Sequence, residues 1–220
     1  MATETEQTLL ILGASGDLAG RLLVPGLGDL IASGAVEGVS LVGSAVDDWT
    51  DERWRSRVAE SFAASGATGE RVDAVARSTR YIKADVAAEG EWRRVLDACD
   101  GPVVLYFALP PAVSERACHA LGGIELPPET RLVFEKPFGT DATTAKALNQ
   151  LVTGIVPEQR VFRVDHFLGT STVMNIAGLR FANRIFEPLM SAEHVESVDI
   201  VFDETLGLEA RARYYEDPAH

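Results

Sequence analysis

A glycine turn set directly between an apolar run and an amphipathic one is where this chain first shows residues suited to chemistry. The run Leu9-Leu10-Ile11-Leu12 leads into Gly13-Ala14-Ser15-Gly16-Asp17-Leu18-Ala19. Gly13 permits a tight turn, Gly16 leaves no side chain where backbone must approach a pyrophosphate, and Ala19 is small enough for close helix-to-strand packing. The helix that follows would offer unpaired N–H groups to the phosphates. The spacing is GxxGxxA rather than GxGxxG, so locally an ordinary glycine-rich βα turn competes with a dinucleotide site. Its place after the first strand favours the dinucleotide.

Three further segments carry reactive side chains. Leu41-Val42-Gly43 is followed by Ser44-Ala45-Val46-Asp47-Asp48, where such a domain reads the adenosine ribose. An acid there binds a free 2'-hydroxyl and an arginine pairs with a 2'-phosphate, so Val46 and Asp47 lean towards NAD over NADP. Asp48 reads equally well as a cap for the helix beginning near Thr50. Arg53, Arg55 and Arg57 are near enough to reach back, although charges on such a helix usually form a solvated face. Glu135-Lys136-Pro137-Phe138-Gly139 places an acid and a lysine at a strand end, where ligands bind in open α/β sheets, with a proline that can aim its neighbours. Arg163-Val164-Asp165-His166-Phe167-Leu168-Gly169 sets an imidazole beside a carboxylate. That histidine suits proton transfer or anion binding, or a purely structural bond.

These residues need a frame. Apolar or β-branched runs at residues 8–12, 39–42, 80–83, 103–108, 132–135 and 161–164 read as strands. Amphipathic stretches at 17–31, 51–64, 70–76, 89–98, 113–121 and 143–151 read as helices between them. The alternation predicts an α/β fold, a Rossmann-type doubly wound parallel sheet, over residues 1–164. From residue 165 the texture changes: 168–186 reads as helical and 195–202 alternates like a half-exposed strand. Residues 165–220 are therefore expected to be the truncated start of a second, β+α domain. A lone strand leaves a sticky edge, and the closing Asp217-Pro218-Ala219-His220 has no cap, so the terminus is expected to be an artificial or proteolytic end.

Composition narrows the function classes. With 33 acidic against 20 basic side chains in 220 residues the formal charge is -13, which repels nucleic acid and anionic membrane surfaces. A hydrophobic content of 46% is enough for a real core. Cys99 and Cys118 are the only cysteines and have no metal-ligand spacing, so neither a disulfide framework nor a metal site is expected. The acidic N-terminus lacks a signal-peptide pattern, and no apolar run approaches the roughly 18 residues of a membrane helix. A cytoplasmic location is the expectation.

Taken together, the segments resemble one family. The glycine turn, Tyr106-Phe107-Ala108-Leu109-Pro110-Pro111, Glu135 to Gly139, Arg163 to Gly169 and Leu179-Arg180-Phe181-Ala182-Asn183 occur in the order and spacing of glucose-6-phosphate dehydrogenase. The resemblance continues through Glu204-Thr205-Leu206-Gly207-Leu208-Glu209-Ala210-Arg211 and Tyr214-Tyr215. It implies that Gly13, Ser15, Gly16, Asp17 and Leu18 bind NADP or NAD, with Leu109 and Pro110 beside the nicotinamide half. Lys136 would touch both sugar and cofactor, Pro137 would set the geometry between them, and Asp165 would support the catalytic site. His166 would bind the substrate phosphate and Glu204 the sugar hydroxyls. A homodimer or homotetramer is implied for the full-length parent.

The chain departs from the family pattern in three places. Members usually continue from the Asp-His pair as Tyr-Leu-Gly-Lys, whereas this chain has Phe167 and Thr170, so its sugar-phosphate subsite is expected to be weak. Val46 stands where NADP-using members place an arginine. The family's catalytic histidine lies beyond the position of His220, so these residues alone are expected to show little dehydrogenase activity. The competing reading is a non-enzymatic dinucleotide-binding module or a short paralogue with another sugar substrate, supported by Thr170 and opposed by the retained Lys136, Asp165, His166 and Glu204.

Overall fold

The computed structural model describes residues 7–88, 90–199 and 201, except for the His166 side chain. The chain divides into two compact units, Met1–Val164 and Asp165–His220. In the first unit six strands alternate with helices: β1 (Gln7–Leu12), α1 (Val24–Ala32), β2 (Val39–Ala45), α2 (Asp51–Ser65), α3 (Glu70–Ser78), β3 (Arg80–Lys83), α4 (Glu91–Leu96), β4 (Val103–Phe107), α5 (Pro111–Leu121), β5 (Arg131–Glu135), α6 (Ala142–Ile155) and β6 (Val161–Val164). The strands pair in the order β3-β2-β1-β4-β5-β6, and every pairing is parallel. This is the doubly wound α/β sheet that the alternation of runs predicts. The order reverses between β1 and β4, which opens a crevice at their C-terminal ends.

Each face of the sheet has its own core. Leu10 and Leu12 point into one, with Trp92, Leu105, Phe107 and Phe134, while Ile11 points into the other, with Leu41, Trp54 and Phe62. Burial on both faces explains why the strand runs are apolar without alternation. Trp54 is fully buried, and its ring lies against Gly43, where a Cβ would come within 2.7 Å of it. Its indole N–H donates to Thr79 Oγ1 at 2.7 Å, and that hydroxyl donates to the Leu41 carbonyl at 2.7 Å. Trp54→Phe removes the indole N–H, leaving Thr79 Oγ1 without its donor, and also removes part of a fully buried ring. The expected loss is at least about 1–3 kcal/mol, the range for an unsatisfied buried acceptor, seen as a lower urea midpoint at unchanged slope.

The helix expected over residues 17–31 forms with one irregularity. Its Ala19–Leu23 stretch is π-helical and leads directly into α1. Pro25 is the cause: it has no N–H, and its ring would press on the carbonyl one turn back, so the helix widens before it.

In the second unit a 3-10 turn at His166–Gly169 precedes α7 (Ser171–Phe181) and α8 (Phe186–Leu189). The helix expected over 168–186 is thus broken, with the last turn of α7 ending at Ala182. Of the strand expected over 195–202, residues 195–199 and 201 have no regular structure, and residues 200 and 202 lie outside the described residues. A strand exists by its ladder, and among the described residues none lies beside this segment. No helix among the described residues is long and apolar enough to cross a membrane.

Candidate functional site

The glycine turn sits at the mouth of the crevice. Gly13 has φ +85°, a left-handed conformation suited to glycine, and a Cβ there would fall 2.3 Å from the Ala108 carbonyl oxygen and 3.1 Å from Leu109 Cδ2. The N–H groups of Gly13 and Ala14 donate to the Ser44 carbonyl at 2.8 and 3.1 Å, and Gly16 N–H donates to the Gly13 carbonyl at 2.9 Å. The helix begins at Asp17, so its first-turn N–H groups have no acceptor within the helix. Gly16 is exposed above this turn, and its own Cβ would meet only Gly13 O, at 3.1 Å. A bare, outward-facing glycine cradle with spare N–H donors fits a pyrophosphate.

The β2–α2 loop settles which of the two acids faces the turn. Ser15 Oγ donates to Asp47 Oδ2 at 2.5 Å, and Tyr81 OH donates to the Asp47 carbonyl at 3.0 Å. Asp48 turns away to Lys83 Nζ at 3.0 Å. The cap of α2 is Thr50, whose Oγ1 accepts from Arg53 N–H at 3.3 Å, so the capping role considered for Asp48 is not used. Trp49 stacks on Tyr81 with centroids 5.8 Å apart, and the Arg53 guanidinium lies 4.3 Å over the Trp49 ring. Arg55 is held by Asp51 at 3.4 Å and the Thr79 carbonyl at 3.1 Å. Burial, then the nearby Asp47 carboxylate, pushes the Tyr81 phenol up to about 12. Tyr81 therefore stays a neutral donor that fixes the loop. Val46 is 63% exposed beside it and offers no charge.

On the other side of the crevice, Leu109, Pro111, Ser114, Lys136 and Pro137 line one cavity of about 30 Å³. Lys136 N–H donates to the Val164 carbonyl at 3.2 Å, extending the β5–β6 pairing by one bond, and the Lys136–Pro137 peptide is cis. Phe138 packs edge-on to Phe134 at 5.6 Å, with the Arg163 guanidinium 4.9 Å over its ring. Sequence reasoning missed one contact here: Tyr106 OH donates to the Glu135 carboxylate. Burial and then that carboxylate push the Tyr106 phenol far up. The signal was available, since both residues lie on the less buried face of neighbouring strands.

The residues expected to bind the dinucleotide, Gly13, Ser15, Gly16, Asp17, Leu18, Leu109, Pro110 and Lys136, all belong to the first unit. Asp165 and His166 belong to the second, where Asp165 Oδ1 accepts Phe167 N–H at 3.1 Å and so caps the 3-10 turn that begins at His166. Thr170 Oγ1 donates to the Phe167 carbonyl at 2.8 Å. Glu204 lies outside the described residues. Among the described residues no group of His, Cys, Asp and Glu could hold a metal ion.

Comparison with known proteins matches both units. The family model described as "Glucose-6-phosphate dehydrogenase, NAD binding domain" covers residues 10–175, and that described as "Glucose-6-phosphate dehydrogenase, C-terminal domain" covers residues 177–219. The chain is 35% identical to glucose-6-phosphate 1-dehydrogenase 2 of Mycobacterium tuberculosis over 94% of its own length and 44% of the relative's. It is 36% identical to glucose-6-phosphate 1-dehydrogenase of Gluconobacter oxydans, over 94% of this chain and 45% of that one. The crystal structure of glucose-6-phosphate 1-dehydrogenase from Mycobacterium avium superimposes with a TM-score of 0.71 at 29% identity, covering 87% of this chain and 43% of that one. The chain thus spans less than half the length of these relatives. A cradle built on Gly13, a strand end carrying Lys136 and a match running through both described domains lead to one assignment: the chain belongs to the glucose-6-phosphate dehydrogenase family.

Proposed function

We propose that this chain holds the dinucleotide, and part of the sugar site, of an enzyme that oxidises the C1 hydroxyl of a hexose 6-phosphate to a lactone. The observation that carries the reading is the glycine turn packed against Ala108 and Leu109, with bare Gly16 facing out. When bound, the nicotinamide group supplies the acceptor for the hydride leaving C1. The chain's own residues bind and orient: Gly13 to Leu18 take the pyrophosphate, Leu109 and Pro110 flank the nicotinamide half, and Lys136 stands at the strand end between cofactor and sugar. Asp165 shapes the turn bearing His166, the phosphate ligand, and Glu204 holds sugar hydroxyls. The proton of the C1 hydroxyl needs a base, which contributes about 10²- to 10⁴-fold. By resemblance the family's base is a histidine beyond the position of His220, and residues 1–220 assayed by themselves should bind cofactor with little turnover. By resemblance the parent is a homodimer or homotetramer, and two cysteines without paired spacing fit a cytoplasmic setting.

The cofactor reading is that NAD binds at least as well as NADP. Asp47 is held towards the glycine turn by Ser15 and Arg55 is tied to Asp51, so a 2'-phosphate meets a carboxylate, with the Arg53 guanidinium over Trp49 of the same loop as the charge that would offset it. Screening over about 8 Å at physiological salt keeps the preference modest. Calorimetric titration of the chain with each dinucleotide is the test. Asp47→Asn should improve NADP relative to NAD by roughly two- to fivefold, since exposed charge pairs contribute about 0.2–1 kcal/mol. No binding of either dinucleotide would overturn the site; a clear excess for NADP would overturn the loop reading alone.

A further inference from the structure

The π-helical stretch after the glycine turn leaves one backbone carbonyl without a helical partner. Val24 N–H donates to Ala19 O, five residues back, so it is not available to Gly20 O as in an α-helix. The next donor in the widened register would be residue 25, which is proline and has no N–H. Gly20 O is therefore an orphan acceptor in a buried place. It is satisfied from outside the helix: Ser61 Oγ, on α2 and itself 5% exposed, donates to it at 2.9 Å.

Gly20 also leaves room for a side chain of α2. A Cβ at this position would lie 2.1 Å from an Arg57 guanidinium nitrogen, so a larger residue would displace the end of that side chain. From Gly20 the connection runs straight to the phosphate cradle through two backbone bonds. Gly20 N–H donates to Gly16 O at 3.4 Å, and Gly16 N–H donates to Gly13 O at 2.9 Å.

We propose that Ser61 is a positioning residue for the dinucleotide: by supplying the bond that Pro25 removes, it holds the widened turn, and with it Gly16 and the first helical N–H groups, in the orientation that receives the pyrophosphate. This rests on the dinucleotide reading above. It makes α2 a second support of the site, reaching the pyrophosphate end through Ser61 while the loop before α2 presents Asp47 to the ribose.

The test uses the 220-residue chain and its Ser61→Ala, Pro25→Ala and doubly substituted variants. NAD is titrated by calorimetry. Adenosine, which has base and ribose but no pyrophosphate, is titrated by NMR as the control. Ser61→Ala should weaken NAD about tenfold, near the upper end of the net effect of one hydrogen bond, and leave adenosine unchanged. Pro25→Ala restores an N–H for the helix, so adding Ser61→Ala to it should change NAD affinity less than about twofold, a coupling that independent sites do not show. Wild-type NAD affinity in Ser61→Ala, an equal loss for NAD and adenosine, or an undiminished effect in the Pro25→Ala background would overturn the proposal. Failure of the unsubstituted chain to bind either dinucleotide would overturn the cofactor reading and this inference with it.

Discussion

Gly13→Ala should abolish dinucleotide binding and destabilise the first unit. The backbone at this residue has φ +85°, and a non-glycine residue held in that region costs on the order of 1–3 kcal/mol before any contact is considered. Contact makes it worse, because the added methyl would sit 2.3 Å from the Ala108 carbonyl oxygen, and backbone at the end of β4 cannot rotate away as a side chain can. The turn must move outward, breaking the bonds from Gly13 and Ala14 to Ser44 O that hold it on β2. Gly16→Ala is the matched control. Its methyl meets only Gly13 O, at 3.1 Å, and a shift of a few tenths of an ångström accommodates it, so the fold should survive with weakened binding. Calorimetry with NAD and urea unfolding of both variants check this. Undiminished NAD affinity in Gly13→Ala would mean that the dinucleotide lies elsewhere.

Thr170→Lys should strengthen the use of glucose 6-phosphate over glucose. Thr170 is exposed, and its hydroxyl already donates to the Phe167 carbonyl at 2.8 Å, so it has no proton left for a phosphate unless that turn opens. An ammonium group adds a charge-assisted donor. Bonds to charged groups contribute about 1.5–3 kcal/mol, or roughly 10- to 150-fold, and exposure favours the lower end. The measurement is kcat/KM for the two sugars in a protein joining this chain to the remaining C-terminal segment of a relative. Glucose should be nearly indifferent to the substitution. No gain on glucose 6-phosphate would show that another residue supplies the phosphate contact.

The strands were legible because burial on both faces of a parallel sheet writes apolar runs that few other structures need. Gly13 was legible for a similar reason, since its left-handed backbone and the Ala108 carbonyl leave no room for a side chain, whereas Gly16 was legible only through its spacing from Gly13. What stayed hidden depended on side chains meeting across long sequence distances. Asp47 and Asp48 are adjacent acids in one loop, and only Ser15 and Lys83, 32 and 35 residues away, separate their roles. Ser61 looked like a polar residue on an ordinary helix, because its partner 41 residues earlier is a carbonyl that no side-chain pattern reveals. Pro25 was visible inside the expected helix and should have signalled a widened turn. Over 195–199 and 201 alternation alone did not make a strand: it marks a segment able to pair, and among the described residues none pairs with it.

The strand order also dictates how the molecule can be made. During synthesis β1, β2 and β3 emerge first, and they are contiguous in the sheet, so they can assemble with α1, α2 and α3 around the core of Ile11, Trp54 and Phe62 before the rest of the chain exists. The other edge of β1 then waits for β4, and with it the Leu10 and Leu12 side chains wait for Trp92, Leu105 and Phe107. Until roughly residue 107 has left the ribosome, the nascent chain carries the loop between β2 and α2 and a glycine turn with nothing behind Gly13. Chaperones that recognise unpaired apolar strand edges would find their target in that interval, on β1.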